Sequence, residues 1–280
     1  MAAQRGCCRF IGVLGPNPKV FATVNLEGDL RALGWEPGRD YRIFTRWSNG
    51  ANDMLPRLAA ELVAQPVEVL LAAGDQAVSA AQRATASIPI VGICDDMVGS
   101  KLVASMARPG GNTTGISILA SELNVKRLEL IHEIVPYVSR IGVLADPTTV
   151  PSAPQLEAAA RGLGIELVNA LAADGEQIRR GFDELASAGV GAINVLASPI
   201  LDEHRGFLIG ELQHARLPAI FQWPETAKEG GLAGYGPRIA GVIRSAIQVV
   251  DKVLRGAYPA EIPVQQPTAF ELPQTSHGAS

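Results

Sequence analysis

The sequence predicts an α/β protein of two lobes, each a parallel sheet covered by helices, and three observations predict it. First, the chain repeats itself. Arg9-Phe-Ile-Gly-Val-Leu-Gly15 returns as Arg140-Ile-Gly-Val-Leu-Ala-Asp146, each an apolar run that ends in small or turn-forming residues and leads into helical periodicity. Second, later stretches correspond as well. Val67-Glu-Val-Leu-Leu-Ala-Ala-Gly74 leads through a helical stretch to Ile88-Pro-Ile-Val-Gly92, as Val190-Gly-Ala-Ile-Asn-Val-Leu-Ala-Ser198 leads to Leu217-Pro-Ala-Ile-Phe221. Third, the run from Val67 to Ala73 is almost wholly apolar, as a strand covered on both faces must be. A chain built this way has a natural cleft between its lobes, and open parallel sheets bind ligands beyond the carboxyl ends of their strands.

Each element follows in order. Ile11 to Leu14 is an apolar run stopped by Gly15-Pro16-Asn17-Pro18, which reads as a loop. Val20 to Leu33 carries Phe21, Val24, Leu30 and Leu33 at helical intervals, with Gly34 as the stop before Trp35. Tyr41 to Trp47 is the second predicted strand. The next helix starts near Asn52 or Asp53, either a good N-cap, and aligns Leu55, Leu58, Ala59, Leu62 and Val63 on one face. Strands are predicted at Val67 to Ala73 and Ile88 to Ile93, and a helix-like piece then leads to Arg108. The second half reads as helix over 124–135, strand over 140–145, helix over 153–163, strand over 166–170, helix over 177–188, strand over 192–197, helix over 204–215 and strand over 219–222.

Two glycine-rich stretches divide the chain. Arg108-Pro-Gly-Gly-Asn-Thr-Thr-Gly115 is the best linker candidate, just before the second copy of the pattern. Glu229-Gly-Gly-Leu-Ala-Gly-Tyr-Gly-Pro237 precedes the strongest helix, in which Ile239, Val242, Ile243, Ala246, Val249, Val250, Val253 and Leu254 recur at steps of three and four. That helix lies outside both copies, so a return to the first lobe makes the chain cross twice, and Val264 to Leu272 would cross a third time. The expected lobes are 9–115 with 237–262 and 116–236 with 263–280, joined by a three-segment hinge.

Composition narrows the function classes. The chain has 280 residues, 47% hydrophobic and 19% charged, enough for two cores of about 130 residues each. A net charge of -4 with 24 scattered Lys and Arg residues leaves no basic footprint for nucleic acid. No apolar run reaches the roughly 18 residues that a bilayer span needs. Met1 to Cys8 lacks the roughly 7–15 apolar residues of a secretory signal, so the chain is cytosolic or its leader is missing. Cys7, Cys8 and Cys94, and His132, His204, His214 and His277, show neither metal-ligand nor triad spacing, so no metal, cofactor or catalytic group is expected. Gly12-Val-Leu-Gly15 lacks the third glycine of a dinucleotide fingerprint.

Several segments resemble a known family. Leu33-Gly-Trp35, Ala72-Ala-Gly74, Ala107-Arg-Pro-Gly-Gly-Asn112 to Thr114-Gly115, Lys126-Arg-Leu-Glu-Leu130, Leu217-Pro-Ala219, Tyr235-Gly236 and Gln266-Pro-Thr268 to Phe270-Glu-Leu272 are similar to the solute-binding proteins of ABC transporters related to tryptophan and tyrosine uptake, of the type I periplasmic binding protein fold. The resemblance covers most of the chain. It implies two Rossmann-like lobes, capture of an amino acid or related carboxylate by hinge closure, delivery to an ABC permease in the membrane, and a periplasmic or membrane-anchored extracytoplasmic location. A monomer is expected. The rival classes are a two-lobed α/β enzyme, which would need a paired acid and base, and a cytosolic ligand-sensing domain.

Loops at the carboxyl ends of strands supply the candidate ligand contacts, since helix N-termini there offer free N–H groups. In the first lobe these are Pro16, Asn17, Gly74, Asp75, Asp95 and Asp96. Asp75 is a ligand contact or the N-cap of the next helix, and Asp95 and Asp96 either receive a ligand ammonium or are solvated loop acids. From the second lobe come Ser117, just beyond the first crossing, with Asp146, Ser198, Trp223 and Tyr235. Asp146, before Pro147, also fits a plain turn, and the two aromatics either stack on a flat ligand or simply pack.

Overall fold

The computed structural model describes residues 8–18, 25–147, 153–172 and 174–273. It divides into two compact units: Met1–Ile118 with Ile239–Pro267, and Leu119–Arg238 with Thr268–Ser280. Each unit holds one five-stranded sheet whose paired strands all run parallel.

In the first unit the strands are β1 (Arg9–Gly15), β2 (Tyr41–Trp47), β3 (Val69–Ala73), β4 (Ile90–Cys94) and β5 (Thr113–Ser117), ordered β2-β1-β3-β4-β5. The helices are α1 (Leu26–Ala32), α2 (Leu55–Val63) and α3 (Asp75–Ala84). α1 starts where the Asn25 side chain accepts from the Gly28 N–H at 2.9 Å; the predicted residues before it fall largely outside the described ones. Neither Asn52 nor Asp53 caps α2 with a side chain, because a 3-10 turn over Asn52–Met54 leads into it.

Two expectations in this half are corrected. The 97–107 stretch is a chain of turns, not a helix. Asp96 starts it by accepting from the N–H groups of Val98 and Gly99 at 3.1 and 2.9 Å, local bonds that compete with helix formation. The 108–115 stretch is not a linker either, since Thr113-Thr114-Gly115 opens the buried strand β5. The Thr114 hydroxyl donates to the Ile262 carbonyl at 2.7 Å and the Thr113 hydroxyl accepts from Gln82 at 2.9 Å, which satisfies the polar groups that made the segment look exposed.

The second unit contains β6 (Arg140–Ala145), β7 (Glu166–Leu171), β8 (Ala192–Val195), β9 (Ala219–Phe221) and β10 (Ala233–Gly234), ordered β7-β6-β8-β9-β10. Around them lie α4 (Ala120–Ile134), α5 (Ala153–Leu163), α6 (Gly175–Ser187), α7 (Pro199–Glu203), α8 (Arg205–Ala215) and α9 (Glu225–Lys228). Alternation along β6 sorts its side chains between two cores. Ile141, Val143 and Ala145 join Leu128, Ile131 and Leu156 on one face, while Leu144 joins Ile178, Phe182 and Leu185 on the other.

The last long helix, α10 (Ile239–Leu254), belongs to the first unit and buries Val242, Ile243, Ala246, Ile247, Val249, Val250, Val253 and Leu254. It packs on α1, β3, β4 and β5. Each fully buried valine, isoleucine or leucine contributes about 1.5–3 kcal/mol, so this face holds the helix in place. Polar ties add direction: the Trp35 indole donates to Asp251 at 2.7 Å and Arg244 pairs with Asp29 at 3.1 Å. Beyond it, Gln265 bridges Ile116 of β5, so residues 263–267 lie with the first unit, not with the second as expected. Glu271 bridges Gly236 in the second unit.

Candidate functional site

The sheets place the candidate residues at their carboxyl ends. In each sheet the chain order reverses between the first and third strands of the unit, β1 and β3 or β6 and β8, and ligand crevices of open α/β sheets form outside the carboxyl ends at that point.

At the first sheet's reversal stand Pro16 and Asn17 after β1, with Gly74 and Asp75 after β3. The Pro16 carbonyl accepts from the Asn49 N–H at 2.6 Å, and Asn17 is buried. Gly74, at φ 99°, spends its N–H on the Ile93 carbonyl at 2.8 Å. Asp75 opens α3 but does not cap it by a side-chain bond. Its carboxylate instead accepts from the Asp95 N–H at 2.8 Å and from the Ser100 hydroxyl, so it braces the loop after β4. Asp95 and Asp96 are half-buried in that loop, and both backbone bonds to Asp96 hold its turn. Ser117 is corrected in position: it ends β5 in the first sheet, not the second lobe, and its buried hydroxyl accepts from the Met97 N–H at 3.3 Å. Burial, reinforced by the charges of Asp75, Asp95 and Asp96, pushes the Cys94 thiol well above its ordinary range, so it stays protonated among these acids.

At the second sheet's reversal the polar groups are deeper. Asp146 follows β6 and is 0% exposed, and Ser198 precedes α7 at 4%. The Ser198 hydroxyl donates to the Asp146 carboxylate while accepting from the N–H groups of Ile200 and Leu201, both at 3.1 Å. Asp146 thus stands in a buried polar pair with Ser198, which also caps α7. Trp223 follows β9, half-buried, and Tyr235 follows β10, where its ring stacks on Phe270 with centroids 6.2 Å apart.

Sequence reasoning missed the groups that hold these loops. Asn124 and Arg127 sit one turn apart on α4, and both are buried. The Asn124 side-chain oxygen accepts from the Ala197 N–H at 3.3 Å and from Arg127, while Arg127 donates to the Tyr235 carbonyl at 2.9 Å. One helix face thereby ties the Ser198 and Tyr235 loops together. Gln222, the first residue after β9, was missed although the strand-end rule that selected Trp223 applies to it equally. Arg205 pairs with Asp202 at 2.7 Å and with Glu229. Burial raises the Asp202 carboxyl above its ordinary value, and Arg205 only partly offsets that. Among the described residues no group of three or more His, Cys, Asp or Glu side chains could hold a metal ion.

The family model for ABC transporter substrate binding proteins matches residues 22–273. The chain belongs to that family. A curated relative, the tyrosine-binding protein of Clostridioides difficile (strain R20291), is 26% identical over 251 residues, covering 85% of this chain and 70% of the relative. Among solved structures, a conserved domain protein from Vibrio cholerae O1 biovar El Tor is 26% identical with a TM-score of 0.90, covering 98% of this chain and 94% of that one. An ABC domain in complex with L-Trp from Streptococcus pneumoniae has a TM-score of 0.84 at 21% identity, covering 95% and 91%, and shares the fold. The two α/β lobes with five-stranded parallel sheets are those of the periplasmic binding protein fold, and members of this family are substrate-binding proteins. Among the described residues no helix is long and apolar enough to cross a membrane.

Proposed function

We propose that this protein is the extracytoplasmic solute receptor of an ABC importer, capturing an amino acid or related carboxylate between its units by hinge closure and passing it to a membrane permease. It acts as a binder and not as a catalyst, and as a monomer. Placement carries the reading: in both sheets the polar candidates gather at the carboxyl ends, at the reversal of strand order. The relatives that bind tyrosine and L-Trp support the ligand class. In this reading Asn17 and Asp95 contact the ligand from the first unit, and Trp223 and Tyr235 from the second. Pro16 and Gly74 shape the loops. Asp75, Asp96, Ser117, Asp146 and Ser198 hold them through the hydrogen bonds described above. Closure follows binding only to the extent that the ligand gains contacts in the closed state.

Thermal unfolding against L-tyrosine, L-tryptophan, other amino acids, benzoate, sugars and nucleotides tests this. A ligand at about 100 times its Kd adds roughly 2.7 kcal/mol, a rise of several degrees. A selective rise with an amino acid or aromatic carboxylate, without turnover, supports the proposal. A rise only with sugars or nucleotides, or chemical conversion of any ligand, overturns it.

A further inference from the structure

At the carboxyl ends of β8 and β9 the second unit encloses a cavity of about 20 Å³. It is lined by the apolar Val195, Leu201 and Phe221 and by Ser198, Gln222, Trp223 and Thr226. A cavity needs about 10–15 Å³ to admit one water-sized atom, so this one accepts a single polar heavy atom and little more.

The polar groups that line it are not equally free to meet such an atom. Ser198 is committed to Asp146 and to the first turn of α7, and Arg205 to Asp202 and Glu229. Thr226 differs. It is 1% exposed, its backbone N–H donates to the Trp223 carbonyl at 3.1 Å, and its Oγ1 is buried with no hydrogen-bond partner among the described residues. A buried hydroxyl without a partner loses its hydration and regains nothing, so such groups are normally matched.

We infer that Thr226 Oγ1 and this cavity form a hydroxyl-sized subsite that receives the polar tip of the ligand's side chain. The inference rests on the amino-acid reading above and names the feature of the amino acid that is read. Ligands ending in a hydroxyl satisfy Thr226, whereas their deoxy analogues leave it buried and unpaired, which is the asymmetry that lets a hydrogen-bonding site reject an isostere. Trp223 and Gln222, which line the same cavity, hold the rest of the side chain.

The test uses amino-acid pairs that differ at the side-chain tip: L-tyrosine and L-phenylalanine, 5-hydroxy-L-tryptophan and L-tryptophan, L-threonine and L-valine. Calorimetry gives Kd values for the whole chain, for Thr226→Val, which keeps the shape, and for Thr226→Ser, which keeps the hydroxyl. In any pair that binds, the hydroxylated member is expected to bind about tenfold more tightly, a ratio that falls to about twofold or less in Thr226→Val and survives in Thr226→Ser. Equal binding of both members, or a preference that persists in Thr226→Val, overturns the subsite while the amino-acid reading stands. Failure of every member of every pair to bind overturns the subsite, and it removes the amino-acid reading as well only if no other amino acid or aromatic carboxylate raises the unfolding temperature. Thermal unfolding of both variants confirms that they remain folded, so a lost ratio reports recognition.

Discussion

The two units use one topology and one strand register, yet they treat corresponding positions in opposite ways. Leu14 of β1 pairs with Ala72 of β3, and Leu144 of β6 pairs with Val195 of β8. Counting three residues on from each partner brings Asp75 and Ser198 into equivalence at the first turn of a following helix. In the first unit that position is a half-buried acid whose carboxylate reaches across to the loop after β4. In the second it is a buried hydroxyl that caps its own helix and donates to Asp146. A repeated scaffold therefore conserves backbone geometry and leaves the polar groups at strand ends free to diverge, because those groups are not needed to form the sheet.

The comparison breaks first where the backbone itself is shared. Gly115 faces Gly92 across β5 and β4, and Gly234 faces Phe221 across β10 and β9. A Cβ at either would strike backbone, the Gly92 carbonyl oxygen in one case and the Trp223 carbonyl oxygen in the other. Gly115→Ala and Gly234→Ala are each expected to cost about 3 kcal/mol or more in urea unfolding, since backbone yields less readily than a side chain. A neutral result at one and a large loss at the other would show that the fifth strands are not equivalent.

Divergence at the strand ends should follow burial. Ser198→Ala removes a helix cap and one donor to the buried Asp146, together about 2–4 kcal/mol. Asp75→Ala, at a half-buried position, should cost about 1 kcal/mol. Equal shifts in the urea midpoint would contradict the assignment of the deeper polar pair to the second unit.

Helix caps supply the finest contrast. Asn25 caps α1, and Asp174 caps α6 by accepting from the Gln177 N–H at 2.8 Å. That backbone bond lowers the pKa of Asp174, so its contribution is present above the ordinary value of 3.8 and is lost as pH falls through the lower folded value. The small Tm difference between wild type and Asp174→Ala should therefore vanish in acid. The difference caused by Asn25→Ala, which lacks a titrating group, should persist across the same range.

Strong periodicity made much of this architecture readable from sequence. The predicted bounds of β2, β6, α5 and α10 coincide with the observed ones because each has an unbroken apolar pattern or a sharp stop beside it. β5 was hidden because its threonines and glycine resemble a loop. Their burial depends on Gln82 and Ile262, partners that lie 31 and 148 residues away. The same limit governs the site. Strand-end logic found Asp146 and Ser198 separately, but their hydrogen bond joins positions 52 residues apart. Thr226 carried no local signal, since its hydroxyl becomes notable only once burial removes it from water.

The chain's interleaving sets an order of construction. The first unit needs α10, which arrives only after the whole stretch 119–238 of the second has been threaded out. During emergence from the amino terminus, β3, β4 and β5 lack the helix that covers one of their faces, while the second unit already has all five of its strands. The second unit can thus pair its sheet first and waits only for Glu271 to reach Gly236, whereas the first must wait for α10 with the apolar surface of its sheet uncovered, which makes it the half more dependent on protection from aggregation.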